Sequence, residues 1–282
     1  MRQRLPILIS ALLLGTWLLF GCGSGEATNS TSSLNVTVSI LPQTYFVERI
    51  GGEHVDVNVM VQPGNSPATY EPKPEQLTSL SKADAYISIG VPFESAWLDK
   101  IAAANQTMRM VDTTQGIEKV GQDPHIWLSP ELVKIQSQSI YAALSELDPA
   151  HEAEFKANLD AFIADIEELQ TDIKGTLTGL KSDKFMVFHP AWSYFGREFG
   201  LEQISIEIGG QEPSAAELVD LVRIAQREGI QVIFAQPEFS TENAQTIANE
   251  IGGKVLLISP LNADWLTNMR YVAQTFAEIL GQ

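Results

Sequence analysis

The stretch from Asp148 to Lys181 constrains the fold more than any other. Asp148 and Pro149 offer an N-cap and a first-turn proline, and Phe155, Leu159, Phe162, Ile166, Leu169, Ile173, Leu177 and Leu180 then recur at spacings of three or four, the period of one apolar helix face. The spacing predicts a single amphipathic helix over 148–181. About thirty residues rising 1.5 Å each make roughly 45 Å, longer than one small lobe needs and enough to run along the backs of two. Gly175 and Gly179 loosen its last turns. A long helix packed on one sheet is the plainer arrangement. The bridging one is preferred because the pattern around the helix stops before it and resumes after it.

That pattern is an alternation of short β-branched runs with helical stretches. Strands are expected at 36–41, 55–61, 85–90 and 108–112, and again at 185–189, 203–206, 231–235 and 254–258. Helices are expected at 194–200, 215–228, 241–251 and 265–280 between and after the second set. Strand–helix alternation of this kind makes mostly parallel α/β sheets. The expected class is therefore α/β, two doubly wound lobes joined by one long rigid bridging helix, with lobes at 35–147 and 182–282.

The N-terminus reads as an address. Arg2 and Arg4 precede an uncharged apolar run over 5–20, the layout of a secretory signal and short for a membrane-spanning helix. Leu19-Phe20-Gly21-Cys22 resembles a lipobox, in which cleavage before the cysteine leaves it N-terminal and acylated; Phe20 is bulkier than the usual residue at its place. Residues 1–21 are expected to be a lipoprotein signal peptide. Residues 22–34, rich in Gly, Ser, Thr and Asn, are expected to be a flexible linker anchored through a lipid on Cys22. The protein would then sit outside the cytoplasm, tethered to a membrane.

Charge and cysteine content remove several function classes. Thirty-five acidic against eighteen basic residues give a net charge of −17, a field that repels phosphate backbones and argues against nucleic acid as a partner. One cysteine permits neither an internal disulfide nor a cysteine metal cluster. There is no Gly-x-Ser-x-Gly elbow, no phosphate-cradling glycine loop and no His-Glu-x-x-His pair, so hydrolase and nucleotide chemistry have no visible home and the chain reads as a binding protein and not as an enzyme; it is expected to be a monomer.

Of four histidines, His54 in a turn-like stretch and His151 at the start of the long helix read as solvated surface positions. His125 lies in Asp123-Pro124-His125-Ile126-Trp127-Leu128-Ser129-Pro130, ahead of a helix capped by Ser129. His189 closes an apolar strand and precedes Pro190, at the carboxyl end where open α/β sheets hold ligands. The loops over 62–72 and 259–265 also lie beyond strand carboxyl ends. Asp264, in the second, is either a cap of the last helix or a ligand. Two imidazoles and a carboxylate suit Zn²⁺, Mn²⁺ or Fe²⁺. Trp127 and Trp192, beside these histidines, either wall the cleft or pack in the core.

Pro-Gly-Asn-Ser-Pro-Ala-Thr-Tyr-Glu-Pro (63–72), Asp-Pro-His-Ile-Trp-Leu-Ser-Pro (123–130), His-Pro-Ala-Trp-Ser-Tyr-Phe (189–195), Glu-Pro-Ser (212–214) and Ser-Pro-Leu-Asn-Ala-Asp-Trp (259–265) together resemble the solute-binding lipoprotein of zinc/manganese ABC importers, from about Val36 to the C-terminus. The resemblance implies one divalent cation, the transported ligand, held between the lobes by His125, His189 and Asp264. It further implies docking on a membrane permease powered by a separate ATPase. Ala68 stands where the family has its first ligand, a histidine, so Asn65, Glu71 or water is left to complete the sphere, with Asn65 or water preferred. Zn²⁺ is the first expectation, since the manganese branch usually has a carboxylate at the place of His189. The missing histidine, and the lack of any histidine over 113–122, keep Mn²⁺ or Fe²⁺ open. The rival readings are a carrier for a larger ligand of haem or corrinoid type and a surface adhesin; a metal-dependent hydrolase ranks lowest, because no general base can be placed.

Overall fold

The computed structural model describes residues 33–207, 210–238 and 241–282. The expected signal peptide, Cys22 and nearly all of the linker fall outside the described residues. In the first lobe β1 (Leu34–Val38), α1 (Leu41–Gly51), β2 (Val55–Val59), α2 (Pro74–Leu80), β3 (Ala85–Ser88), α3 (Pro92–Ala104) and β4 (Arg109–Asp112) alternate. Their sheet is parallel throughout, in the order β2-β1-β3-β4. Two helices follow, α4 (Pro130–Leu147) and α5 (Glu152–Thr176). The second lobe repeats the plan with β5 (Lys184–Val187), α6 (Ser193–Phe199), β6 (Glu202–Ser205), α7 (Ala215–Arg227), β7 (Val232–Ala235), α8 (Glu242–Glu250), β8 (Lys254–Leu257) and α9 (Trp265–Leu280), its parallel sheet ordered β6-β5-β7-β8.

The central strands are apolar on both faces, as buried parallel strands must be: Ala85, Tyr86 and Ile87 of β3 and all of β7 are buried. Each sheet is laid down outward from its first strand and then crosses back, so the strand order reverses between β1 and β3 and between β5 and β7. Loops leaving the carboxyl ends on either side of such a reversal diverge, and ligands bind in the crevice they leave. Six of the eight strands end one to three residues earlier than the sequence predicts, and β4 and β7 end where it places them. The first stops at Val38 because Pro42 already sits in the first turn of α1.

The long helix is shorter than 148–181. Pro149 opens a 3-10 turn (Pro149–His151) before α5 begins, and Gly179 adopts φ 77°, a left-handed conformation no α-helix can contain. Twenty-five residues remain, about 37 Å. Its stripe of Phe155, Leu159, Phe162, Ile166, Leu169 and Ile173 is buried and packs on α1 and α4 of the first lobe and on α9 of the second. One apolar core therefore runs from Val36 through α5 to Phe276, and a smaller cluster around Met186, Ile233 and Ile247 lies in the second lobe. Two fully buried indoles also join the halves: Trp127 Nε1 donates to the Pro260 carbonyl and Trp265 Nε1 to the Trp127 carbonyl, both at 2.7 Å. Among the described residues no helix is long and apolar enough to cross a membrane.

Candidate metal centre

His125 is set by the turn that precedes α4. The Ser129 hydroxyl accepts from Leu132 N–H and Pro130 occupies the first turn, the start predicted from the sequence. Upstream, Asp123 Oδ1 accepts from both the backbone N–H of His125 (2.9 Å) and its Nδ1 (2.6 Å). Asp123 is itself held by the second lobe, its other oxygen accepting from the Ser193 hydroxyl and its carbonyl from Tyr194 Oη. His189 follows β5 at the strand-order reversal. Gln236, just past β7, receives the His189 N–H at 3.3 Å and donates to its carbonyl at 2.9 Å. His189 Nδ1 meets Glu207 Oε2 at 2.5 Å.

Both imidazoles thus lean on a carboxylate through Nδ1, the arrangement that fixes the tautomer of metal-ligating histidines and turns Nε2 outward as the lone-pair nitrogen. The two Nε2 atoms face each other at 3.3 Å. Lone pairs at that distance repel unless a proton or a cation lies between them. Two nitrogens bound tetrahedrally to one zinc at 2.0–2.1 Å stand about 3.3–3.4 Å apart, so the separation is already that of two ligands on one ion.

The rings open on a cavity of about 90 Å³ whose walls include Pro67, Ala68, Val91, Pro92, Trp127 and Glu238. Val91 and Pro92 follow β3 and Glu238 follows β7, so both strand-order reversals contribute. Glu238 was not singled out from the sequence. One of its oxygens, Oε2, is buried without a hydrogen-bond partner among the described residues, and burial pushes its carboxyl above the usual carboxylate range. A carboxylate in the loop after a strand next to the reversal is the only sequence signal that could have found it.

The other expected ligands lie elsewhere. Asp264 is exposed and caps α9, its Oδ1 accepting from Thr267 N–H at 3.3 Å; four free N–H groups at a helix start compete effectively for a carboxylate. Asn65 Nδ2 donates to the carbonyls of Gln62 and Pro63 in its own loop, at 3.1 and 3.4 Å. Glu71 is exposed, and none of the three lines the cavity. Trp127 walls the cavity, whereas Trp192 packs in the core against Phe195 and Phe276.

Burial holds the His125 imidazole below the ordinary histidine value, against Asp123, which pulls it up. The ring is therefore neutral, with its lone pair free, at pH 7. A group whose folded pKa is lowered binds protons more readily when unfolded, so its contribution to stability is complete above the unfolded value of about 6.5 and is lost as pH falls from there through the lower folded value. Zn²⁺ capture, which needs both imidazole lone pairs, is expected to weaken as pH falls below about 6.5, with His125 itself protonating below that value. A proton NMR titration of His125 with a midpoint above 6.5 would contradict this.

A family model described as zinc-uptake complex component A, periplasmic, matches residues 36–279. The high-affinity zinc uptake system protein ZnuA of Bacillus subtilis (strain 168) is 26% identical over 275 residues, covering 86% of this chain and 85% of that protein. The zinc-binding protein AdcA of Streptococcus pyogenes serotype M3 is 26% identical over 288 residues, covering 90% of this chain but 56% of its own length. This chain thus spans little more than half of that relative. Among solved structures, a crystal structure of ZnuA superposes with a TM-score of 0.86 at 47% identity, covering 88% of this chain and 99% of the other.

Proposed function

We propose, since the chain belongs to the family of zinc-uptake complex component A, that it is the extracytoplasmic solute-binding component of an ABC importer and carries Zn²⁺ as cargo in the cleft between its lobes. The observation that carries this reading is the pair of carboxylate-backed imidazoles with Nε2 atoms 3.3 Å apart. His125 and His189 supply two neutral nitrogens, and Glu238 supplies the anionic oxygen that Asp264, engaged as a cap, does not. Ala68, in the cavity wall, leaves space for water as a further ligand. The same donor set also suits Mn²⁺ and Fe²⁺; Zn²⁺ is put first because the family is one of zinc uptake. A larger ligand does not fit: drug-sized molecules occupy about 300–1,000 Å³, several times the cavity of about 90 Å³.

Capture then follows from coordination. Asp123 and Glu207 hold the two rings in the receiving tautomer, so the ion meets donors already aimed and little ordering has to be done on binding. The Trp127–Trp265 exchange, the Ser193–Asp123 hydrogen bond and the shared core on α5 oppose lobe separation. Release accordingly requires the membrane permease, driven by its ATPase, to disturb the site. Cys22, acylated, would keep the protein at the membrane where that permease lies.

Equilibrium dialysis against Zn²⁺ with a competing chelator tests the reading. One tightly held ion per chain is expected, and failure to retain any would overturn it. Glu238→Gln keeps shape and removes the anionic ligand. It is expected to lower Zn²⁺ affinity at least about tenfold, the scale of losing even an outer partner of a metal ligand. Wild-type affinity in this variant would remove Glu238 from the ligand set.

A further inference from the structure

His54 and His151, expected from the sequence as separate surface residues, are brought together by the fold. His54 ends a 3-10 turn (Gly52–His54) that leads into β2, and His151 ends the turn that leads into α5. Their rings stack with centroids 3.8 Å apart and planes 18° from parallel, and Phe155 meets the His54 ring edge-on. Each ring has its own carboxylate: His151 Nδ1 lies 2.6 Å from Asp148 Oδ2, and His54 Nε2 lies 3.0 Å from Glu154 Oε2. Donor atoms of His54, Asp148 and His151 all lie within 4.8 Å of one another. The side chains of these three are 13%, 19% and 22% exposed, sheltered from solvent yet open to an ion.

We propose that His54, His151 and Asp148 form a second site for a borderline divalent transition ion such as Zn²⁺ or Ni²⁺ on the first lobe, with Glu154 positioning the His54 ring. The chemistry rests on proton placement. His54, whose Nε2 pairs with Glu154, keeps its lone pair on Nδ1, and at His151 the ion takes the place of the proton between Nδ1 and Asp148 Oδ2, that proton moving to Nε2, so that His54 Nδ1, His151 Nδ1 and the Asp148 carboxylate are the donors. Two imidazole nitrogens and one carboxylate oxygen select borderline ions over hard ones such as Mg²⁺ or Ca²⁺. Ligands on one ion at 2.0–2.1 Å stand roughly 3–4 Å apart, so small side-chain adjustments bring donors that already lie within 4.8 Å of one another onto one ion. Among the described residues, no hydrogen bond or ring contact joins His54, Asp148 or His151 to His125, His189 or Glu238.

The test uses the full chain carrying His125→Ala and His189→Ala, which removes the cleft donors. Titration calorimetry with ZnCl₂, and separately NiCl₂, is expected to show one remaining ion per chain, bound more weakly than the cleft ion of the wild type. Adding His54→Ala or His151→Ala should weaken it more than about tenfold. His151→Gln and Asp148→Asn, which preserve side-chain size, should act in the same direction with unchanged circular dichroism. No ion in the cleft-deficient chain, beside one in the wild type, rejects the second site and leaves the cleft reading standing. One ion in both chains, lost with His54, rejects the cleft reading and leaves the second site standing. Retention of the ion in both the His54 and His151 variants overturns the assignment of residues.

Discussion

Replacing His125 or His189 by alanine is expected to weaken the tight Zn²⁺ site by more than about a hundredfold, and replacing both to abolish it. The lower bound follows because disturbing an outer partner of a metal ligand already costs about 10–100-fold, and here the ligand itself is removed. Each substitution also leaves a carboxylate, Asp123 or Glu207, without the imidazole it orients. Asp264→Ala is the informative contrast. If Asp264 acts as a cap, the variant should keep near wild-type affinity and lose about 0.5–2 kcal/mol of stability. Chelator competition measures the first quantity and urea unfolding the second. Unchanged affinity in both histidine variants would end the assignment, and a large affinity loss in Asp264→Ala would return that residue to the ligand set.

Trp265→Ala is expected to be among the most destabilising single substitutions in the chain. The side chain is 1% exposed and packs edge-on against Phe46 with centroids 5.2 Å apart. Burying and then deleting an indole costs about 3–5 kcal/mol, and the Trp127 carbonyl, now without its donor, adds about 1–3 kcal/mol. Tyr271→Ala on the same helix, at a residue 56% exposed, should change stability by less than about 0.5 kcal/mol. Because Trp265 and Trp127 stitch the two halves, the variant should also loosen the cleft and weaken Zn²⁺ capture. Equal unfolding midpoints for the two variants would show that the exchange of indole hydrogen bonds does not tie the lobes.

The apolar stripe from Phe155 to Ile173, the alternation around it and the start of α4 at Ser129-Pro130 depend on contacts within a few residues, and local periodicity and capping chemistry make them legible in a bare sequence. His125 and His189 were legible too, because a histidine after an apolar strand or before a capped helix can be placed at a sheet's carboxyl edge from sequence position alone. The ends of α5 were less so: one proline and one glycine shorten it, and both signals compete with a strong apolar period.

Tertiary structure alone decided the rest. Asp264 serves equally well on paper as cap or ligand; the fold places its carboxylate on Thr267 N–H, three residues on, and outside the cavity wall. Glu238 reaches the cavity only because β7 lies beside β5. His54 and His151 stack although 97 positions separate their numbers, because the turn before β2 meets the turn before α5. Sequence fixes what short-range geometry requires; which donors share an ion depends on where separate segments arrive in space, and that is set by the packing of the whole core.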